Sequence, residues 1–186
     1  MHINLPKYYH FIDKFDKDEI KNLNNKIAII YRNYDEEINI DKIINIRNFL
    51  KKRGIKFFLS NDFKTSMRLN LDGVYIPAFN RKIKIYQSYK KETFRIIGSA
   101  HNLKEIKIKE RQGVEAIFLS PLFLTKNYKN YLGTTKFNIL SKFTKKKIIA
   151  LGGINQLNIK KLSLLKIYGY ASISFFKNND KLTLIR

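Results

Sequence analysis

The 186-residue chain has no cysteine and carries 37 Lys and Arg against 15 Asp and Glu, a formal net charge of +22. That length predicts one domain over residues 1–186 with a sizeable core, and the missing thiols exclude disulfides and thiolate metal sites. No apolar run approaches the ~20 residues of a membrane span, and Met1 to His10 lacks the charged-then-apolar build of a signal peptide, so a cytoplasmic chain without a membrane partner is expected. The charge alone would point to nucleic acid. Lysine is scattered through every segment, however, and is abundant together with Ile and Asn, the residues of A+T-rich codons. With no zinc-finger spacing, aromatic RNP-type strand or Arg-rich helix, nucleic acid is disfavoured as the main partner.

Short apolar runs recur along the chain. In order they are Tyr8 to Ile12, Ile27 to Tyr31, Ile55 to Leu59, Val74 to Ile76, Phe94 to Ile97, Ala116 to Leu119, Ile148 to Leu151 and Ala171 to Phe175. Between them lie helix signals of uneven strength. Residues 40–53 place Ile40, Ile43, Ile44 and Phe49 at near-helical spacing, with Lys51, Lys52 and Arg53 in the last turn and Gly54 as a stop. Asn102 can cap a helix through Arg111 that Gly113 ends. Asn155 can cap one in which Leu162, Leu165 and Tyr168 share a face before Gly169, and Thr134 to Lys145 is a further candidate. The connections after the first, third, fourth and eighth runs are short, so helices there are single turns or absent. Strands alternating with helices predict an α/β fold with a parallel sheet, best read as a compact (β/α)8 TIM barrel with some helices short or missing. An open doubly wound sheet is the alternative.

The seventh run, within Lys147 to Asn155, is the most telling. No charge falls between Ile148 and Gly153, which suits a strand covered on both faces. Gly152 and Gly153 then make either a plain tight turn or a place where backbone N–H groups close on a phosphate. On a barrel, function belongs at the C-terminal ends of the strands. Those ends hold Asp13, Arg32-Asn33, Asn61-Asp62, Pro77, Ser99-Ala100-His101, Ser120-Pro121, Gly152-Gly153 and Ser174. Turn-forming residues gather at such places for structural reasons alone. An Arg, a His, a carboxylate and a Gly-Gly turn on one face also form a kit for an anionic, phosphorylated ligand.

A lone histidine after a strand is commonly structural, but His101, near Ser99 and Asn102, is a credible proton carrier; His2 and His10 lack such company. With no Cys and no His pair at ligand spacing, the expected metal is a hard ion such as Mg2+, held partly by phosphate oxygens. Asp62 is its candidate ligand. Asp62 reads equally as the N-cap of a segment starting at Phe63, and one role does not exclude the other.

These motifs, in this order, resemble the thiamine phosphate synthase and TenI superfamily over nearly the whole chain. Tyr9 to Asp13 is similar to its first strand, and Arg32 falls at its Arg after the second. Ser60-Asn61-Asp62 resembles its Asn-Asp element, and Leu71 to Ile76 its fourth strand. Ile97-Gly98-Ser99-Ala100-His101 resembles its Gly-x-Ser-x-His element, and Gly113 to Gly133, with Ser120-Pro121-Leu122-Phe123-Leu124-Thr125, its sixth strand and loop. Ile149 to Ile154 and Gly169 to Phe176 resemble its last two strands. The resemblance implies a (β/α)8 barrel that joins hydroxymethylpyrimidine diphosphate to thiazole phosphate, giving thiamine phosphate and diphosphate. Carried over by position, Arg32, Asn61, Ser99 and Thr125 would bind the diphosphate and Asp62 would hold Mg2+. Gly153, beside Gly152, would bind the thiazole phosphate with Ile173 and Ser174. Arg32, Ser99 and His101 are the catalytic candidates.

The chain departs from the family pattern at several points. Where the family has a second Mg2+-binding Asp after the fourth strand stands Asn80, at best a neutral oxygen. Ile30 replaces a Gln and Tyr34 a Lys. The loop Lys126 to Leu132 does not align with the family's Thr-x-Thr-Lys, and either Lys126 or Lys129 could replace that lysine. Two alternatives follow. One is a TenI-like thiazole tautomerase, in which His101 moves a proton; the other is a non-catalytic phosphate-ligand or RNA-binding barrel. A homo-oligomer stays open.

Overall fold

Strands without a polar face have to be covered on both sides, and here the sheet does so by closing on itself. In the computed structural model, which describes residues 4–34, 37–83, 91–125 and 130–178, eight parallel strands pair in chain order and the last pairs with the first. They are β1 (Tyr8–Ile12), β2 (Ile27–Tyr31), β3 (Phe57–Ser60), β4 (Gly73–Ile76), β5 (Arg95–Ala100), β6 (Ala116–Leu119), β7 (Lys147–Leu151) and β8 (Gly169–Ser172). The (β/α)8 barrel is thus the fold, and the open sheet is excluded.

Side chains alternate in and out along each strand. Tyr9 and Phe11, Ala28 and Ile30, Phe58, Tyr75, Ile97, Phe118, Ile149 and Ala171 fill the interior as one cluster. Phe118 lies at its centre, with ring centroids 4.9 Å from Tyr9, 5.5 Å from Tyr75 and 5.9 Å from Phe11, all edge to face. Each such contact adds about 1 kcal/mol to simple burial. The barrel is therefore solid below its mouth. The outward residues pack under the helices.

Those helices are α1 (Lys17–Lys21), α2 (Ile40–Lys52), α3 (Phe63–Arg68), α4 (Leu103–Arg111) and α5 (Gly133–Ser141). Asp16, Asn39, Asp62 and Asn102 cap the first four through their side-chain oxygens. The helices after β1 and β3 are short, as expected, and a 3₁₀ turn, Phe175–Asn178, follows β8. Residues 84–90 of the connection after β4 lie outside the described residues.

Several sequence-based boundaries move; the helix expected over Thr134 to Lys145, for one, ends at Ser141. The segment after Asn155 is a 3₁₀ turn, Ile159–Leu164, not an α-helix. The Asn155 side chain accepts from the Leu157 and Asn158 N–H groups, while the Asn158 amide donates to Gly153 O at 2.7 Å. Such local bonds compete with the helical ladder. The fifth strand runs on through Gly98, Ser99 and Ala100, which keep register with Ile117, Phe118 and Leu119. The eighth starts at Gly169 and ends at Ser172, whose Oγ accepts the Phe175 N–H at 3.0 Å and turns the chain away.

His10 is an internal strut. Buried on the outer side of β1, its ring meets Ser172 O at 3.2 Å and Glu19 Oε1 at 2.8 Å, joining β1, β8 and α1. Among the described residues no helix is long and apolar enough to cross a membrane.

Candidate active site

At the mouth of β2, the Arg32 N–H donates to Ile12 O at 2.8 Å and the guanidinium lies over the Phe11 ring, 5.1 Å from its centroid. That stacking orients the cation without neutralising it. Two residues on, Tyr34 shares a 2.7 Å hydrogen bond with Ser60 Oγ at the end of β3 and sets its ring edge to face on Phe79, with centroids 5.3 Å apart. Burial pushes the Tyr34 phenol above its ordinary pKa. In the position of the expected lysine, then, stands a neutral aromatic wall.

Asn61 leaves β3 with φ +62°, in the left-handed region that Asn tolerates. Its N–H donates to Tyr75 O at 2.8 Å, and its amide oxygen accepts from Asn80 Nδ2 at 2.7 Å. Asp62 caps α3, its Oδ1 accepting the Thr65 N–H at 2.9 Å. Asn80 Oδ1 accepts the Lys82 N–H at 3.1 Å. Among the described residues no three His, Cys, Asp or Glu stand together as a metal cluster. The oxygen donors on offer are the Asp62 carboxylate and the Asn80 amide oxygen. A hard cation there would need the rest of its shell from a bound polyphosphate.

Ser99 lies inside β5, not after it. It is buried and faces inward beside the Tyr75 phenol, whose pKa burial raises strongly and Ser99 lowers in part. His101 follows the strand. Its backbone N–H and its Nδ1 both reach Glu105 Oε2, at 2.8 and 2.9 Å, while the Glu105 N–H donates to Asn102. Because a carboxylate only accepts, Nδ1 is the donor in this pair, and Nε2 points away from it.

Across the mouth, the Gly-Gly turn after β7 is shaped by the loop after β6. Gly152 and Gly153 have φ of +97° and +69°, and a Cβ on Gly153 would lie 2.4 Å from Leu124 O and 2.7 Å from Phe123 O. The Phe123 N–H donates to Gly152 O at 3.0 Å, and the Leu122 N–H to Leu151 O at 2.8 Å. Among the described residues the Gly153 N–H has no protein acceptor. Tight turn and backbone donor therefore coincide. Ile173 and Ser174 follow β8 beside this turn, Ile173 half exposed. Thr125 ends the described part of the β6 loop, and Lys126 and Lys129 lie outside the described residues.

The model of the thiamine monophosphate synthase family matches residues 22–176 of this chain. The chain belongs to the thiamine monophosphate synthase family. Among its relatives, the thiamine-phosphate synthase of Prochlorococcus marinus subsp. pastoris is 29% identical over 153 residues, covering 81% of this chain but 43% of that protein. The thiamine-phosphate synthase of Pelagibacter ubique is 27% identical over 163 residues, covering 84% of this chain and 78% of that one. In fold the chain is similar to the thiamine phosphate pyrophosphorylase of Pyrococcus furiosus, with a TM-score of 0.74, 18% identity, and 94% and 89% of the two chains covered. The chain thus spans less than half the length of one curated synthase that it matches.

For a member of the thiamine monophosphate synthase family, the expected strand-end residues separate into two groups at one mouth. Arg32, Asn61, Asp62, Asn80, Ser99 and His101 follow or end neighbouring strands β2 to β5, while Gly152, Gly153, Ile173 and Ser174 follow β7 and β8. Sequence reasoning missed what stands behind the first group. Lys109 and Gln112, at the C-terminal end of α4, are buried and bond the backbone that follows β4. Burial lowers the Lys109 pKa to about 8. The available signal was a lysine three residues after Ile106, on the apolar face of its helix.

Proposed function

We propose that this chain is a thiamine phosphate synthase, joining hydroxymethylpyrimidine diphosphate to thiazole phosphate. The observation that carries the reading is the 2.7 Å Asn61–Asn80 contact. That contact supports the reading because it joins the Asn61-Asp62 element after β3 to the position after β4 where the family pattern has a second acidic ligand, while Arg32 follows the neighbouring strand β2. Asp62 and the Asn80 amide oxygen fit Mg2+ that arrives on the diphosphate. When bound, Mg2+ supplies neutralisation of charge on the leaving group.

The reaction breaks the bond between the pyrimidine methylene and the diphosphate oxygen, which leaves with the electron pair, and forms a bond from that carbon to the thiazole nitrogen. It needs neither redox chemistry nor removal of a proton by a strong base. The work for the protein is placement and charge. Arg32, pre-oriented on Phe11, and Asn61, pinned by Asn80, bind diphosphate oxygens, with Ser99 from β5 and Thr125 from the facing loop. The Gly153 N–H and Ser174 take the thiazole phosphate on the other side, aiming its ring nitrogen across the mouth. Phosphorylated pyrimidine and thiazole compounds are the partners proposed.

The test is diphosphate release that depends on the acceptor. Release from the pyrimidine diphosphate should require both Mg2+ and thiazole phosphate; release at the same rate without the acceptor would make the chain a hydrolase and sink the reading.

One observation favours a second reading. The Glu105–His101 pair, at 2.9 Å, presents Nε2 as a base, and Asn80 withholds a carboxylate from the metal side. A thiazole tautomerase would use His101 alone and work in chelator. His101→Ala would abolish that activity.

A further inference from the structure

Lys109 lies on the face of α4 that packs against the barrel, and no part of it reaches solvent. Its stem passes over Gly98 of β5, where a Cβ would stand 3.0 Å from Lys109 Cδ and 2.9 Å from Ile76 O. The bare glycine is the channel through which the side chain reaches the mouth. There the ammonium donates to Pro77 O at 2.7 Å, Asn80 O at 2.9 Å and Gln112 Oε1 at 2.8 Å. Three N–H donors meet three oxygens, all uncharged. Gln112, also buried, sends its own amide to Asn80 O and Lys82 O, at 2.9 Å each.

A buried ammonium without a carboxylate is an expensive way to fill a core position that an apolar residue would fill more stably. What it holds gives the reason. Apart from Pro77 and Ala78, both buried where the segment leaves β4, the stretch to Lys82 has no apolar anchor in the core, and Phe79, whose ring meets that of Tyr34, is 62% exposed. Its own turn bonds, Asn80 N–H to Pro77 O and Lys82 N–H to Asn80 Oδ1, are local. Lys109 and Gln112 fix it to the barrel from behind, and Asn80 meets Asn61 in front.

We infer that Lys109, with Gln112, is a positioning residue: it sets the backbone of Pro77 to Lys82 so that Asn80 stands against Asn61 on the diphosphate side of the site. The anchoring stands on geometry alone, and its consequence for diphosphate rests on the synthase reading.

The experiment uses Lys109→Met, which keeps the stem and removes the ammonium, and Gln112→Leu, which cuts the Gln112 links to Asn80 and Lys82. Amide exchange is followed across the chain. Calorimetry measures inorganic diphosphate with Mg2+ and, separately, thiazole phosphate. For Lys109→Met, exchange at residues 78–82 rises while the rest of the barrel is unchanged. Mg2+-dependent diphosphate binding weakens about tenfold, the scale on which groups behind a metal site act, and thiazole phosphate binding does not move. Gln112→Leu shifts the same readouts in the same direction, and decides the matter should Lys109→Met not fold. Unaltered exchange at 78–82, or equal weakening of both ligands with faster exchange throughout, would overturn the inference. Wild-type protein that binds no diphosphate would refute the synthase reading separately, and the exchange data would still decide the anchoring.

Discussion

Asp62 is a helix cap and, in the proposed reaction, the metal-side carboxylate, two roles that substitution can separate. As the N-cap of α3 its Oδ1 accepts the Thr65 N–H at 2.9 Å, with extended backbone at φ −126° and ψ 92°. Asn caps about as well as Asp, whereas Ala forfeits about 1 kcal/mol. In a chain of this size 1 kcal/mol moves the melting temperature by about 2–4 °C. Asp62→Ala should therefore melt about 2–4 °C below wild type, and Asp62→Asn at the wild-type temperature. Catalysis follows charge instead. Both variants lose the ionised oxygen on the metal side, worth about 3 kcal/mol at the upper end for a charged contact. That is about a hundredfold in turnover. Thermal unfolding and Mg2+-dependent product formation, on the same preparations, read the two effects apart. Wild-type turnover in Asp62→Asn would leave Asp62 a cap and nothing more; Asp62→Asn as destabilised as Asp62→Ala would refute the capping argument.

Gly153→Ala places a Cβ 2.4 Å from Leu124 O at φ +69°. The left-handed backbone alone costs ~1–2 kcal/mol, and the displaced carbonyls add to it, so thermal unfolding should show a drop of about 5 °C or more and calorimetry a loss of thiazole phosphate binding. Tyr75→Phe removes the phenol beside Ser99; with about 1 kcal/mol of polar interaction lost there, KM for the pyrimidine diphosphate should rise about fivefold with a small change in melting. Asn80→Asp supplies the acidic ligand that the family pattern has there, while the Asn61 amide can turn to donate to it. In a Mg2+ titration of activity the half-saturating concentration should fall severalfold.

The barrel is legible because its strands have no polar face, and runs such as Ile27 to Tyr31 and Ala116 to Leu119 coincide with β2 and β6. Boundaries slip where small or polar residues continue the ladder. Ser60 and Gly98 to Ala100 interrupt an apolar count, yet their backbones pair as well as any other. Positions in the mouth, including Arg32, Asn61, Asp62 and Gly153, can be read because strand ends are where a barrel keeps its chemistry. Their contacts cannot be. Asn61 meets Asn80, and Tyr34 meets Ser60, across separations that only the pairing of neighbouring strands brings together. Lys109 hides among the other lysines of α4, such as Lys104 and Lys107, and its burial depends on the missing side chain of Gly98. Asn155 misleads because its amide makes a turn with Asn158 where a helix cap was expected.

Mass-spectrometric detection of thiamine phosphate, made by the purified protein from both phosphorylated precursors, tests the central claim most directly. The account predicts thiamine phosphate and diphosphate in equal amounts with Mg2+ present, and neither in chelator. Folded protein that binds thiazole phosphate but forms no thiamine phosphate with Mg2+ would contradict it.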